Sequence, residues 1–260
     1  VIGDPALARL AAAPALFVGM DYDGTLAGIV SHPSQATLVD GAQAALARLA
    51  AAPGTALGVF TGRTLHDIRQ RIALPDLCYA GNHGLEMVWG DRRRDDPEAA
   101  RRVSALAALA ADLGALAAEE PGAWVEPKGL SLSLHVRNVA PERQAAFAER
   151  VAHWLDARGG AFAREAGKAV IEIRPAGVPG KEAAFRLALE WAADRLGRRP
   201  VPAFFGDDAG DEAALEVARA AAGLAVAVGE RPSAAATHHL AGPADVAVVL
   251  AWLADARTRT

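Results

Sequence analysis

The feature that most restricts this chain is a short apolar run, Leu16 to Met20, that ends abruptly at Asp21-Tyr22-Asp23-Gly24. An apolar run without polar alternation, closed by a turn signal, is the pattern of a strand buried on both faces, as in a parallel sheet covered by helices on each side. The pattern recurs along the chain. Gly41 to Ala52 has helical apolar spacing, Ala56 to Phe60 reads as strand, Thr64 to Ile72 as helix and Leu77 to Ala80 as strand. Helix and strand alternate again through Lys181 to Gly197, Val201 to Phe205, Asp211 to Ala221 and Leu224 to Val228. This rhythm predicts a doubly wound, Rossmann-like α/β core, whose ligands collect at the carboxyl ends of its strands.

The middle of the chain has a different texture. A helical stretch, Pro97 to Ala118, leads to two alternating runs, Trp124 to Pro127 and Leu130 to Arg137, that fit a hairpin. A helix over Pro141 to Arg158 and a strand pair, Ala161 to Glu165 and Ala169 to Arg174, complete an α-β-β-α-β-β unit of roughly 80 residues, enough for a small domain. Pro175, Gly177, Pro179 and Gly180 mark its far edge. The expected division is therefore a core of residues 1–95 and 176–260 with an α+β insert at 96–175. The length of 260 residues agrees, because single cores usually split at about 250–300 residues.

Composition narrows the function classes. At 52% hydrophobic residues the chain is too apolar to be disordered, and a formal charge of −4 leaves no electrostatic footprint for nucleic acid. A small neutral or anionic metabolite is the expected partner, and no protein partner is legible. No stretch approaches the ~20 uninterrupted apolar residues of a membrane span. Ala6 to Met20 has no basic leading region, is broken by Arg9 and Pro14, and runs into Asp21, so it reads as helix and buried strand and not as a signal peptide. The sole cysteine, Cys78, lies in an apolar run and fits a reduced core residue of a cytoplasmic protein. Neither a Walker A sequence nor a Gly-x-Ser-x-Gly elbow occurs. His238 and His239 have no accompanying cysteine and read as structural or surface residues.

The chemistry-bearing residues follow the strand ends. Asp21 and Asp23, two apart on an extended chain, share a face and can address the same atom. Two close carboxylates repel, which calls for a bound Mg²⁺ or for one carboxyl kept protonated as a general acid. Thr61-Gly62-Arg63 follows a strand and precedes a helix, where a hydroxyl and backbone amides can meet an anion. Lys181 opens a helix after Pro179-Gly180, and a cation near a phosphate offsets developing charge. Gly206-Asp207-Asp208-Ala209-Gly210-Asp211-Glu212 closes another strand with an acidic cluster that is costly to hold together without a metal.

The order of nucleophile, hydroxyl, lysine and acidic pair resembles the haloacid dehalogenase superfamily of aspartate-nucleophile phosphatases, and the insert resembles the larger of that superfamily's cap types. Gly81-Asn82-His83-Gly84, Val125-Glu126-Pro127-Lys128-Gly129, Glu172-Ile173-Arg174-Pro175 and Gly206-Asp207-Asp208 are similar to segments of trehalose-6-phosphate phosphatases. The resemblance implies that Asp21 attacks phosphorus while Asp23 protonates the leaving oxygen and later deprotonates water. Thr61 and Lys181 would bind the phosphoryl group. Asp21, Asp23 through its backbone carbonyl, Asp207 and Asp208 would hold Mg²⁺, with Asp211 in support. Arg63, Asn82, His83, Glu126, Lys128 and Glu172 would contact the sugar phosphate or position groups that do. Tyr22 stands where the family more often has phenylalanine, Thr61 where it has serine, and Gly210 where the trehalose enzymes carry threonine. Phosphatases of mannosyl-3-phosphoglycerate or sucrose 6-phosphate, and a phosphomannomutase-like enzyme, share the same outline. A non-catalytic sugar-phosphate sensor would need no proton donor beside a nucleophile, and retention of Asp21, Asp23, Lys181 and Asp207 together speaks against one.

Overall fold

The computed structural model describes residues 3–167 and 169–259 and divides into two compact units, Val1–Arg94 with Gly180–Thr260, and Asp95–Pro179. Among the described residues the strands are β1 (Leu16–Met20), β2 (Thr55–Phe60), β3 (Cys78–Gly81), β4 (Glu86–Trp89), β5 (Arg92–Asp95), β6 (Trp124–Pro127), β7 (Leu132–His135), β8 (Phe162–Gly167), β9 (Val170–Pro175), β10 (Val201–Gly206), β11 (Leu224–Val228) and β12 (His238–Leu240). The helices are α1 (Pro5–Ala12), α2 (Ala42–Ala50), α3 (Leu65–Ile72), α4 (Pro97–Arg101), α5 (Val103–Ala118), α6 (Pro141–Asp156), α7 (Lys181–Leu196), α8 (Glu212–Ala220) and α9 (Pro243–Thr258). None is long and apolar enough to cross a membrane.

In the larger unit the sheet order is β12-β11-β10-β1-β2-β3-β4-β5. The pairings from β12 to β3 are parallel, and β4 returns antiparallel to β3. The unbroken apolar runs follow from burial on both faces. Leu16, Val18 and Met20 join a core with α1, α2, α3 and α9, while Phe17 faces the opposite core with α7 and α8. On that second face the Phe185 ring lies 5.5 Å from Phe60 and 5.0 Å from Phe204 between centroids. Gly19 makes room for it, since a Cβ there would lie 2.7 Å from the Phe185 ring. Burying such a ring contributes about 1.5–3 kcal/mol. Because Phe185 sits one turn along α7, this packing also fixes Lys181 against the sheet.

Register sets the site. Met20 lies level with Val59 on β2 and Phe205 on β10, so the segments carrying Asp21, Thr61 and Asp207 leave the sheet at one edge, side by side.

The smaller unit is an antiparallel sheet in the order β6-β7-β9-β8. Leu132, Leu134, Ile171 and Ile173 pack under Leu106, Leu109 and Leu113 of α5 and Phe147 and Val151 of α6. Strand alternation turns Glu126, Ser133, His135 and Glu172 to the other face. The helical stretch expected as one piece over Pro97 to Ala118 is two helices. They part at Arg102, whose amide turns to Ala99 O at 3.0 Å and whose guanidinium reaches Ala161 O at 3.4 Å.

Candidate active site

Asp21 extends β1 by one rung, donating its amide to Phe205 O at 2.9 Å. The chain then folds back so that Tyr22 O accepts the amides of Leu26 and Ala27, each at 2.9 Å. Tyr22 is buried in the core, so its neighbours Asp21 and Asp23 turn the other way. Gly24 is required at this turn. Its φ is +91°, and a Cβ would stand 2.0 Å from Asp207 Oδ2.

Lys181 Nζ donates to Asp21 Oδ1 and to Asp211 Oδ1, each at 2.8 Å. All three groups are buried, with side-chain exposures of 4%, 7% and 0%. The other oxygen of Asp211 accepts the amides of Asp207 at 3.0 Å and Asp208 at 3.2 Å. Gly206 lets Asp211 approach, since a Cβ there would lie 2.5 Å from its carboxyl carbon. Asp211, a supporting residue in the sequence reading, is thus the pivot that orients both the lysine and the acidic segment. Burial pushes the Asp21 carboxyl up to about 8, with Lys181 opposing and Asp207 and Asp208 adding to the rise. Burial alone would lower Lys181, but Asp21 and Asp211 hold it well above its usual value, so it stays cationic.

Asp21, Asp207 and Asp211 offer carboxylate oxygens within 4.8 Å of one another. This is a hard-oxygen donor set, which suits a divalent cation of the magnesium type. Asp208 Oδ1 is buried without a hydrogen-bond partner among the described residues, as an acceptor beside a cation site would be. The donors present therefore fit a metal. The Asp23 carboxylate lies outside this cluster. Arg63 grips it in a bidentate pair, Nε to Oδ2 at 2.6 Å and Nη2 to Oδ1 at 2.7 Å.

Thr61 prolongs β2, its amide bonding Ala80 O at 2.9 Å, and its hydroxyl accepts the Arg63 amide at 3.2 Å. The Gly81–Gly84 turn braces this loop. Asn82 N donates to Arg63 O at 2.7 Å, His83 N to Thr61 O at 2.9 Å, and the His83 ring leaves no room for a Cβ on Gly62. Asn82 and His83 both hold positive φ, 48° and 59°, a region that asparagine and histidine enter more readily than most residues. The expected anion site at the start of α3 is narrower than the sequence implied. Leu65 N donates to Glu86 Oε1 at 2.7 Å and Asp67 N to Thr64 Oγ1 at 3.2 Å, so those amides are occupied. Glu86 also accepts from Asn82 Nδ2 at 2.7 Å. The sequence reading missed Glu86, although a carboxylate two residues after Gly84 on a predicted turn was a usable signal.

Glu126, Lys128 and Glu172 come together on the polar face of the smaller unit's sheet, because register sets Ser133 opposite both Glu126 and Glu172. Ser133 Oγ lies 2.8 Å from each Glu172 oxygen, and Lys128 Nζ lies 3.4 Å from Oε1. His135 Nε2 meets Glu126 Oε2 at 2.8 Å and stacks on Trp124 with centroids 4.0 Å apart. Burial would raise Glu126, but His135 and Lys128 outweigh it and hold the carboxyl low. Ser133 and His135 were missed, yet the Leu-Ser-Leu-His alternation opposite Glu126 announces both.

A parallel-sheet core with aspartates at its carboxyl edge and an inserted α+β unit is the architecture of the haloacid dehalogenase superfamily. Solved structures agree on the fold. The C-terminal domain of C. albicans trehalose-6-phosphate phosphatase superposes with a TM-score of 0.81 at 23% identity over 96% of each chain. Aspergillus fumigatus trehalose-6-phosphate phosphatase gives 0.62 at 26% identity over 96% of each chain. The chain belongs to the trehalose-phosphatase family, whose sequence pattern matches residues 19–245. A trehalose-phosphate phosphatase of Mycobacterium marinum is 36% identical across 93% of this chain and 62% of its own length. An uncharacterized glycosyl hydrolase of Mycobacterium tuberculosis is 38% identical across 93% of this chain and 18% of its own. The chain therefore spans only part of these curated relatives.

Proposed function

We propose that the chain hydrolyses trehalose 6-phosphate to trehalose and phosphate, with Asp21 as nucleophile and Mg²⁺ as the metal. The observation that carries this reading is the buried Lys181–Asp21–Asp211 cluster beside Asp207 at the carboxyl edge of the sheet, in a chain of the trehalose-phosphatase family. A surface turn needs no such burial of three charges. A carboxylate that attacks phosphorus needs both a cation beside it and exclusion of water.

In this mechanism an Asp21 oxygen attacks phosphorus, and the bond to the sugar oxygen breaks. Asp23, whose two oxygens accept from Arg63 here, parts from one of those donors to carry the proton that it gives to that oxygen, so the sugar leaves as an alcohol. Water then attacks the aspartyl-phosphate, Asp23 takes the proton of that water, and phosphate leaves with Asp21 restored. The Thr61 hydroxyl and the Lys181 ammonium meet the charge of the transferring phosphoryl oxygens. Asp21, Asp207, Asp208 and the Asp23 carbonyl would hold Mg²⁺, which when bound supplies charge neutralisation for the phosphoryl group and for the clustered carboxylates. Asn82 and His83 act by bracing the Thr61 loop. Glu126, Lys128 and Glu172, with Ser133 and His135 behind them, supply acceptors and donors suited to sugar hydroxyls and determine which ester is taken.

Phosphate release from trehalose 6-phosphate, mannosyl-3-phosphoglycerate, sucrose 6-phosphate and glucose 6-phosphate, with Mg²⁺ or EDTA, tests this for wild type and Asp21→Asn. Preference for the trehalose ester, lost with EDTA and with the substitution, is expected. Metal-dependent release from a different ester would keep Asp21 and overturn the roles given to Glu126, Lys128 and Glu172.

A further inference from the structure

Asp67 was not among the candidate residues, yet it stands behind the proton-transfer group. Arg63 carries its guanidinium between two carboxylates. Its Nε and Nη2 hold Asp23 at 2.6 and 2.7 Å, while Nη1 donates to Asp67 Oδ2 at 2.8 Å. Nη2 also reaches Pro33 O at 2.8 Å. The same Asp67 oxygen accepts from Arg71 Nε at 2.8 Å, one turn further along α3. The row Asp23, Arg63, Asp67, Arg71 alternates in charge and runs from the loop after β1 onto a helix.

We infer that Asp67 is a positioning residue for Asp23, acting through Arg63. A free arginine side chain has several soft torsions, and a bidentate pair fixes the guanidinium plane relative to its partner but not relative to the fold. Asp67 supplies a charged reference on α3. Its amide is tied to Thr64 Oγ1 at 3.2 Å, and it grips the edge of the guanidinium opposite Asp23. Without it Arg63 keeps Asp23, the Pro33 carbonyl and the face of the Tyr22 ring, 5.2 Å away, and no carboxylate anchored on α3 stops the pair from shifting together about the Arg63 side chain. Proton transfer is sensitive to such movement, since a misplacement of ~1 Å can reduce a rate by about 100-fold.

This inference rests on the phosphatase reading, and its tests separate the two. The first is a crystal structure of Asp67→Ala beside wild type. Displacement of the Asp23 carboxylate from its wild-type position is expected, and an unmoved Asp23–Arg63 pair overturns the inference whatever the substrate. The second compares single-turnover cleavage of a sugar phosphate with the burst of p-nitrophenolate from p-nitrophenyl phosphate, whose leaving group departs without a proton. For Asp67→Ala we expect kcat on the sugar ester to fall about 10- to 100-fold, a part of the ~10²- to 10⁴-fold that general acid–base catalysis contributes. KM should stay within about twofold, and the p-nitrophenolate burst should keep its rate. Asp67→Asn, which retains the shape and one acceptor oxygen, should recover part of the loss. A merely structural role would lower both esters alike, and that result overturns the inference. If wild type cleaves only the aryl ester, the sugar-phosphate reading fails while the crystallographic comparison still decides the role of Asp67.

Discussion

Replacing Lys181 with methionine keeps the length of the side chain and removes the cation that contacts both Asp21 and Asp211. With a carboxyl ionised at 2.8 Å and an effective dielectric near 20, the Coulomb attraction is about 6 kcal/mol per pair. The cost of burying the ions cancels most of it. What remains when one partner of a buried pair is removed is about 3–5 kcal/mol. For a chain of this size that corresponds to a fall in Tm of roughly 6–20 °C. Calorimetry in EDTA, following the transition of the larger unit, measures it. The pH dependence adds a sharper check. Burial already raises Asp21 to about 8 and Asp211 well above its usual value, with Lys181 opposing both shifts. A carboxyl raised in the folded state stabilises most below its unfolded value near 4, and that stability is lost as pH rises through the folded value. Lys181→Met raises both carboxyls further, so the folded variant binds a proton that wild type releases. The deficit should therefore be larger at pH 8.5 than at pH 5.5, by up to about 1.4 kcal/mol per pH unit for each extra proton held. A fall in Tm under about 3 °C, or one independent of pH, would refute the buried-cluster argument.

Two further substitutions probe different links. Gly24→Ala must relieve a Cβ placed 2.0 Å from Asp207 Oδ2 at a φ of +91°, a conformation costing about 1–2 kcal/mol for a residue with a Cβ. The Mg²⁺ concentration for half-maximal activity should rise at least ~10-fold, and an unchanged metal titration would remove Asp207 from the metal site. Arg257→Met tests the far side of the core. There the guanidinium donates to Leu10, Ala11 and Ala13 O at 3.1, 3.1 and 2.8 Å and to Pro53 and Gly54 O at 2.9 and 3.1 Å. Orphaning these carbonyls, several at the end of α1, should cost about 3 kcal/mol or more, seen as a lower Tm and faster proteolysis near residue 13. A Tm within about 2 °C of wild type would count against it.

Local pattern carried much of this molecule. The run Leu16 to Met20 is β1 to the residue, and Leu224 to Val228 is β11, because a strand buried on both faces has no polar position at which its ends could blur. The αββαββ order of the insert was equally legible from the change from apolar runs to alternation. Strands β4 and β5 were not, since Glu86–Trp89 and the charged Arg92–Asp95 lie at the edge end of the sheet, where pairing of β4 with β3 and of β5 with β4 outweighs a weak strand signal. Helix α9 is not legible in the sequence because it shows little separation of apolar and polar faces until α1 and α2 are laid against it.

Residue pattern alone therefore carries the set of chemical groups and the strand ends that bear them: two aspartates after β1, a hydroxyl after β2, a lysine opening α7 and an acidic segment after β10. Which group touches which was a tertiary matter. Parallel register brings Asp21, Thr61 and Asp207 to one edge, although Asp21 and Asp207 lie far apart along the chain. Only the assembled fold turns Asp23 to Arg63, places Asp67 behind it and makes Asp211 the common partner of Lys181 and the acidic segment. Distances of 2.6–2.8 Å between side chains decide those roles, and no spacing along the sequence encodes them, because each pair is closed by strands and helices packed for reasons of burial.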